Sequence, residues 1–189
     1  TIQANFFGIG ADNATTVGNA LNGILVDGDS RDTTVGGVIP LGNVSAGNGQ
    51  NGIYVTDTAS GFTTFNTFGG LLAFQGSAPN GNNGILIAGS AHDNVVGGTG
   101  VLSNASVIRQ NTISGNNNYG VVISEQAHNN VVSQSAIGTD IQELAALPNG
   151  AGGVLLQSTG IGNVVGTAHV GWSPLPAPAE LVNVISGNI

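Results

Sequence analysis

Asn83-Gly84-Ile85-Leu86-Ile87 decides the fold, because the chain repeats it. The pattern stands earlier at Asn22-Gly23-Ile24-Leu25-Val26 and Asn51-Gly52-Ile53-Tyr54-Val55. It returns at Tyr119-Gly120-Val121-Val122-Ile123 and Gly152-Gly153-Val154-Leu155-Leu156. Its third residue falls at 24, 53, 85, 121 and 154, in steps of 29, 32, 36 and 33. A second element follows at Thr33-Thr34-Val35, Asn66-Thr67-Phe68, Asn94-Val95-Val96, Asn130-Val131-Val132 and Asn163-Val164-Val165. It trails the first by eleven residues in four copies and by four more in the second. A third element is looser: Asn43-Val44-Ser45, Asn111-Thr112-Ile113 and Asn183-Val184-Ile185, with Asn5-Phe6-Phe7-Gly8 and Ser135-Ala136-Ile137-Gly138 as its other version.

Short β-branched runs bounded by Gly and Asn read as strands, and a glycine content of 32 in 189 residues penalises helix throughout. Self-similarity at this period is the mark of a solenoid. Three strands per repeat predict an all-β fold: a right-handed single-stranded parallel β-helix of about five to six coils stacked about 4.8 Å apart. Ile24, Ile53, Ile85, Val121 and Val154 are expected to form one inward column, and Val26, Val55, Ile87, Ile123 and Leu156 another. Gly23, Gly52, Gly84, Gly120 and Gly153 mark a corner that needs either φ > 0 or no Cβ. Asn66, Asn94, Asn130 and Asn163 are expected to stack their amides at a bend, with Thr33 breaking the row.

Composition narrows the function. The bases are Arg31 and Arg109, there is no Lys, and the formal charge is -8, so nucleic acid is excluded as a partner. No apolar run is long enough for a membrane helix, so no membrane insertion is expected. The opening stretch Thr1-Ile2-Gln3-Ala4-Asn5 carries neither a basic segment nor an initiator Met, which reads as a processed, trimmed or excised chain. So few basic residues leave trypsin-like proteases little to cut, which suits life outside a cell.

The repeats resemble the Gly/Asn-rich parallel β-helix repeats of large secreted bacterial surface proteins, within the pectate-lyase-like superfamily. The likeness is carried by Asn-Xaa-Ile-Ser-Gly-Asn at 111–116 and 183–188, and by Ile137-Gly138-Thr139-Asp140 with Leu147-Pro148-Asn149-Gly150 after it. It spans essentially the whole chain and implies an extracellular or cell-surface setting. It does not imply one activity, since the scaffold carries lyases, hydrolases, epimerases and inert stalks.

Catalytic signals are weak. Lyases on this scaffold use Asp-bound calcium with a Lys or Arg base, and Lys is missing here. Asp27, Asp29 and Asp32, beside Arg31, are the one turn that would take a structural calcium ion; its bland reading is a solvated turn. No other cofactor is expected. Glycosidases need two facing carboxylates, and aligning Phe7 with Ile137 places Gly10, not Asp12, opposite Asp140. His92 and His128 should stack in adjacent coils within a variable turn column that also holds Arg31 and Ile161; a metal there would need Asp93 as a third ligand. Sequons at Asn13, Asn43 and Asn104 are what an Asn-, Ser- and Thr-rich chain shows by chance.

One anomaly points to contact. Leu25, Tyr54, Leu86, Val122 and Leu155 should face outward, yet all are apolar. They are read as an interface, unless the connections 11–20 and 138–150 fold over them. A Pro-rich insertion at 168–182 holds Trp172, a further interface or sugar-stacking candidate. The expectation is one domain, 1–189, that is a segment of a longer array or a subunit of an assembly. Its expected role is a non-catalytic extracellular filament subunit or adhesin stalk. Its partners would be copies of itself or neighbouring β-helix repeats. The rival is a polysaccharide-binding or polysaccharide-processing domain.

Overall fold

A computed structural model describes residues 1–37, 40–72, 76–98, 111–166 and 183–189. Those residues are all strand, turn and loop, with no helix. Three parallel sheets account for all but one hairpin. The first is built from Ile24–Val26, Ile53–Val55, Ile85–Ile87, Tyr119–Ser124 and Gly152–Gln157. The second takes Thr34–Gly36, Thr63–Phe65, Val95–Val96, Val131–Val132 and Val164–Val165. The third takes Phe6–Phe7, Asn43–Ser45, Thr67–Gly69, Asn111–Ile113, Ser135–Ile137 and Val184–Ile185.

Each strand pairs with its counterpart one repeat away, so sheet order follows chain order. Strands this short gain little alone. Their stability comes from stacking, which turns each inward position into a column of dispersion contacts. In the first sheet Ile24, Ile53, Ile85 and Val121 align, as do Val26, Val55, Ile87 and Ile123. All eight are buried, and they join Val35, Val96, Val132, Ile113 and Ile137 in one core. Val154 and Leu156 continue the two columns at the last row, where Val154 is half-buried and Leu156 exposed.

Register corrects one expectation. Asn66 does not belong to the second-sheet column: the strand paired with Thr34–Gly36 and Val95–Val96 is Thr63–Phe65. That assignment keeps the eleven-residue step from Ile53 to Thr64, as in every other row. Asn66 instead sits at the corner into Thr67–Gly69, with φ +49° and its Nδ2 donating to the Gly37 carbonyl at 2.8 Å. The true column reads Thr33, Phe62, Asn94, Asn130, Asn163. In it Asn94 Nδ2 donates to Asn130 Oδ1 at 2.9 Å, and Asn130 Nδ2 to Asn163 Oδ1 at 3.0 Å.

The same register puts Thr64 inside. It lines up with Val96, is 0 % exposed, and its Oγ1 has no hydrogen-bond partner among the described residues. An unsatisfied buried hydroxyl costs about 1–3 kcal/mol. Thr64→Val, which copies Val35, Val96, Val132 and Val165, is therefore expected to stabilise the fold by about 1 kcal/mol in urea titration. A loss of stability would mean that the hydroxyl has a partner in solution.

Rows also alternate in pairs. Gly8, Gly70 and Gly138, at φ +85°, +90° and +91°, lead out of the third sheet into antiparallel excursions. These are closed by Ile9 with Thr16, by Leu71–Leu72 with Gly76–Ser77, and by Thr139 with Ala146. In the intervening rows Gly47, Gly115 and Gly187 turn directly, at φ +70°, +73° and +71°. The excursions lie against those turns: a Cβ on Gly47 would meet Thr16, and one on Gly115 would meet Ser77. The connections 9–17 and 139–147 are therefore engaged at the third sheet's end, and Leu25 is left exposed.

Candidate functional site

The most extensive polar arrangement is structural, and it lies five residues before Ile24, Ile53, Ile85, Val121 and Val154 of the first sheet, with a sixth member at Asn188. Asn19, Asn48, Asn80, Asn116, Asn149 and Asn188 form a continuous ladder. In it each Nδ2 donates to the next Oδ1, at 2.8, 3.0, 2.9, 2.9 and 2.9 Å. The four central members are buried. A shorter ladder runs beside it: Asn51 Nδ2 donates to Asn22 Oδ1 at 2.9 Å, and Asn83 Nδ2 to Asn51 Oδ1 at 3.0 Å. The long ladder is absent from the expectations above, although the sequence carries its signal: Asn stands five residues before Ile24, Ile53, Ile85, Val121 and Val154 alike.

This ladder explains the glycine column. Gly23, Gly52, Gly84, Gly120 and Gly153 do not adopt positive φ. They are required because a Cβ has no room. At Gly84 it would lie 2.3 Å from Ile113 Cγ2, 2.7 Å from the Gly120 carbonyl oxygen and 2.9 Å from Asn116 Nδ2. Of the two reasons for glycine, close approach is the operative one.

Four carboxylates, those of Asp12, Asp57, Glu125 and Asp140, accept backbone amides. Asp57 Oδ2 accepts from the Gly28 amide at 3.2 Å, and Glu125 Oε2 from the Gly89 amide at 2.8 Å, each reaching back one row. Asp12 accepts from the Thr15 hydroxyl at 2.5 Å, the Thr15 amide at 2.9 Å and the Ala14 amide at 3.0 Å, and these bonds hold its carboxyl down at about 2. Asp140 Oδ1 takes the Leu144 amide at 2.8 Å. Gly10 and Asp140 occupy matching positions, their amides bonded to Thr15 and Ala145 respectively. Asp12 and Asp140 thus cap equivalent excursions from different positions.

In the turn 27–32, the Asp27 carbonyl accepts from Ser30 Oγ at 2.6 Å, and the Asp32 amide donates to the Ser60 carbonyl at 3.0 Å. Asp27, Asp29 and Asp32 are exposed. Among the described residues no group of three or more His, Cys, Asp or Glu side chains could hold a metal ion. His92 Nδ1 pairs with Asp93 Oδ2 at 2.8 Å. His92 and His128 stack as the spacing predicts, in a column running from Arg31 through Ser60.

The outward apolar row is uneven. Leu25, Tyr54, Leu86, Val122 and Leu155 align in register, but exposure falls from 52 % at Leu25 to 6 % at Val122. Val122 is therefore corrected from a contact residue to a shielded one: it sits between the larger Leu86 and Leu155 side chains. Exposed apolar groups lie toward both ends of the stack: Val17, Leu21 and Leu25 in the first repeat, and Leu144, Leu156 and Ile161 near the last. Asn43 is buried, which removes that sequon from glycosylation in the folded chain. Trp172, His169, Arg109, Asn104 and the insertion 168–182 lie outside the described residues. Compared with family models, curated proteins and solved structures, the chain finds no match in any of the three.

Proposed function

We propose that the three sheets close around one core as a right-handed single-stranded parallel β-helix of about six coils. Its work is structural: a non-catalytic module, outside the cell or at its surface, that builds assemblies by contact with copies of itself. One observation carries this reading. The buried amides are committed to row-to-row ladders, while Asp12, Asp57, Glu125 and Asp140 cap backbone and Asp93 orients a histidine. Catalytic sites instead bring titratable groups together in clefts and perturb them there. The scarcity of basic residues supports an extracellular setting, because it leaves few trypsin-like cleavage points.

The contact is assigned to Val17, Leu21 and Leu25, three exposed apolar groups of the first repeat. A formal charge of -8 makes copies repel, so association should strengthen with salt as that repulsion is screened. Electron microscopy and sedimentation at neutral pH test this. Regular assemblies that Leu25→Asp abolishes, with the circular dichroism spectrum unchanged, are the expected result. A monomer at every salt concentration, or assembly unaffected by Leu25→Asp, rejects the contact.

A further inference from the structure

The column of turn residues that runs from Arg31 through Ser60 to His92 and His128 brings two imidazoles together on adjacent rows. Their ring centroids are 5.0 Å apart and the planes differ by 20°. Each Nδ1 faces a group that can only accept: Asp93 Oδ2 at 2.8 Å for His92, and the Gln126 carbonyl at 3.1 Å for His128. In both neutral rings the proton therefore sits on Nδ1, which leaves the lone pair on Nε2. Pairing Nδ1–H with a carboxylate or a carbonyl is the arrangement that orients histidine as a metal ligand and raises its basicity. On one flank the column holds the small Ser60; on the other the next row brings Gly160 close against His128, where a Cβ would lie 2.8 Å from His128 Cβ, with the exposed Ile161 following it.

We propose that His92 and His128 bind one divalent ion of the imidazole-preferring class, zinc or nickel, through their two Nε2 atoms. Water fills the remaining positions, so affinity is modest. Tetrahedral zinc with bonds of about 2.1 Å needs ligand nitrogens about 3.4 Å apart. The rings are stacked with centroids 5.0 Å apart and planes 20° apart, so each must turn out of the stack about its side-chain torsions for the two Nε2 lone pairs to converge on one ion. Asp93 is a positioning residue here: it holds His92 through Nδ1 rather than acting as the third ligand. An ion bound in this way ties two adjacent rows together and stabilises the folded state by mass action. The site does not depend on self-association.

Isothermal titration of the chelator-treated full chain with zinc chloride tests the proposal, with thermal melting alongside. Saturation at a single zinc per chain and a raised Tm are expected. His92→Ala and His128→Ala should each lower affinity about tenfold or more, and Asp93→Asn about tenfold. His169→Ala should leave binding unchanged. Circular dichroism of the His92 and His128 variants checks that they fold. No binding up to millimolar zinc overturns the proposal. So does affinity that survives either His92→Ala or His128→Ala, or that depends on His169 instead.

Discussion

Asn80→Ala is expected to destabilise the fold by about 2–6 kcal/mol, a large share of the roughly 5–15 kcal/mol that holds a domain folded. Asn80 is 0 % exposed and makes four side-chain hydrogen bonds across three rows. Its Nδ2 donates to the Ser45 carbonyl at 3.0 Å and to Asn116 Oδ1 at 2.9 Å. Its Oδ1 accepts from the Asn48 amide at 3.1 Å and from Asn48 Nδ2 at 3.0 Å. Truncation does not strand all four partners. Ser45 O keeps the Gly70 amide, and Asn48 Nδ2 keeps the Phe7 carbonyl. The Asn48 amide and Asn116 Oδ1 keep nothing among the described residues, and each buried orphan costs about 1–3 kcal/mol. Asn117→Ala, an exposed neighbour, should change stability by no more than about 0.5 kcal/mol. Urea denaturation of both variants is the check, and equal small losses would remove the ladder's energetic role.

Gly84→Ala is expected to cost about 3 kcal/mol or more, at the upper end for overpacking. The added Cβ meets the Gly120 carbonyl and Asn116 Nδ2, which are fixed by the stack and cannot swing aside. Gly28 is the informative comparison. It has φ +65° with nothing within 4 Å of where a Cβ would stand, so Gly28→Ala incurs only the left-handed backbone penalty of about 1–2 kcal/mol. Gly28→Asn should cost still less, because the aligned Asp57 already adopts φ +57°. Urea midpoints that rank Gly28→Ala above Gly84→Ala in cost would overturn crowding as the reason for the glycine column.

The stacking is legible in the sequence because identical rows must share a register, so aligned Ile and Val positions become columns with little freedom. The second row misleads for a definite reason. Thr64 is polar where its counterparts Val35, Val96, Val132 and Val165 are apolar, and Asn66 nearby imitates the ladder residue of other rows. Only the eleven-residue step, held constant, places Thr64 in the core. The histidine stack follows from spacing alone. The tautomers do not, since they depend on where Asp93 and the Gln126 carbonyl lie. Shielding of Val122 is equally out of reach, because it arises from side chains one row to either side.

The central claim is that buried asparagine amides bind successive rows in register. Side-chain amide exchange and nuclear Overhauser contacts in the labelled chain test it most directly. The Nδ2 hydrogens of Asn48, Asn80, Asn116 and Asn149 should exchange far more slowly than those of Asn117. Asn80 should also show contacts to both Asn48 and Asn116. Exchange at the rate of a free amide, or contacts confined to residues near in sequence, would contradict the stack.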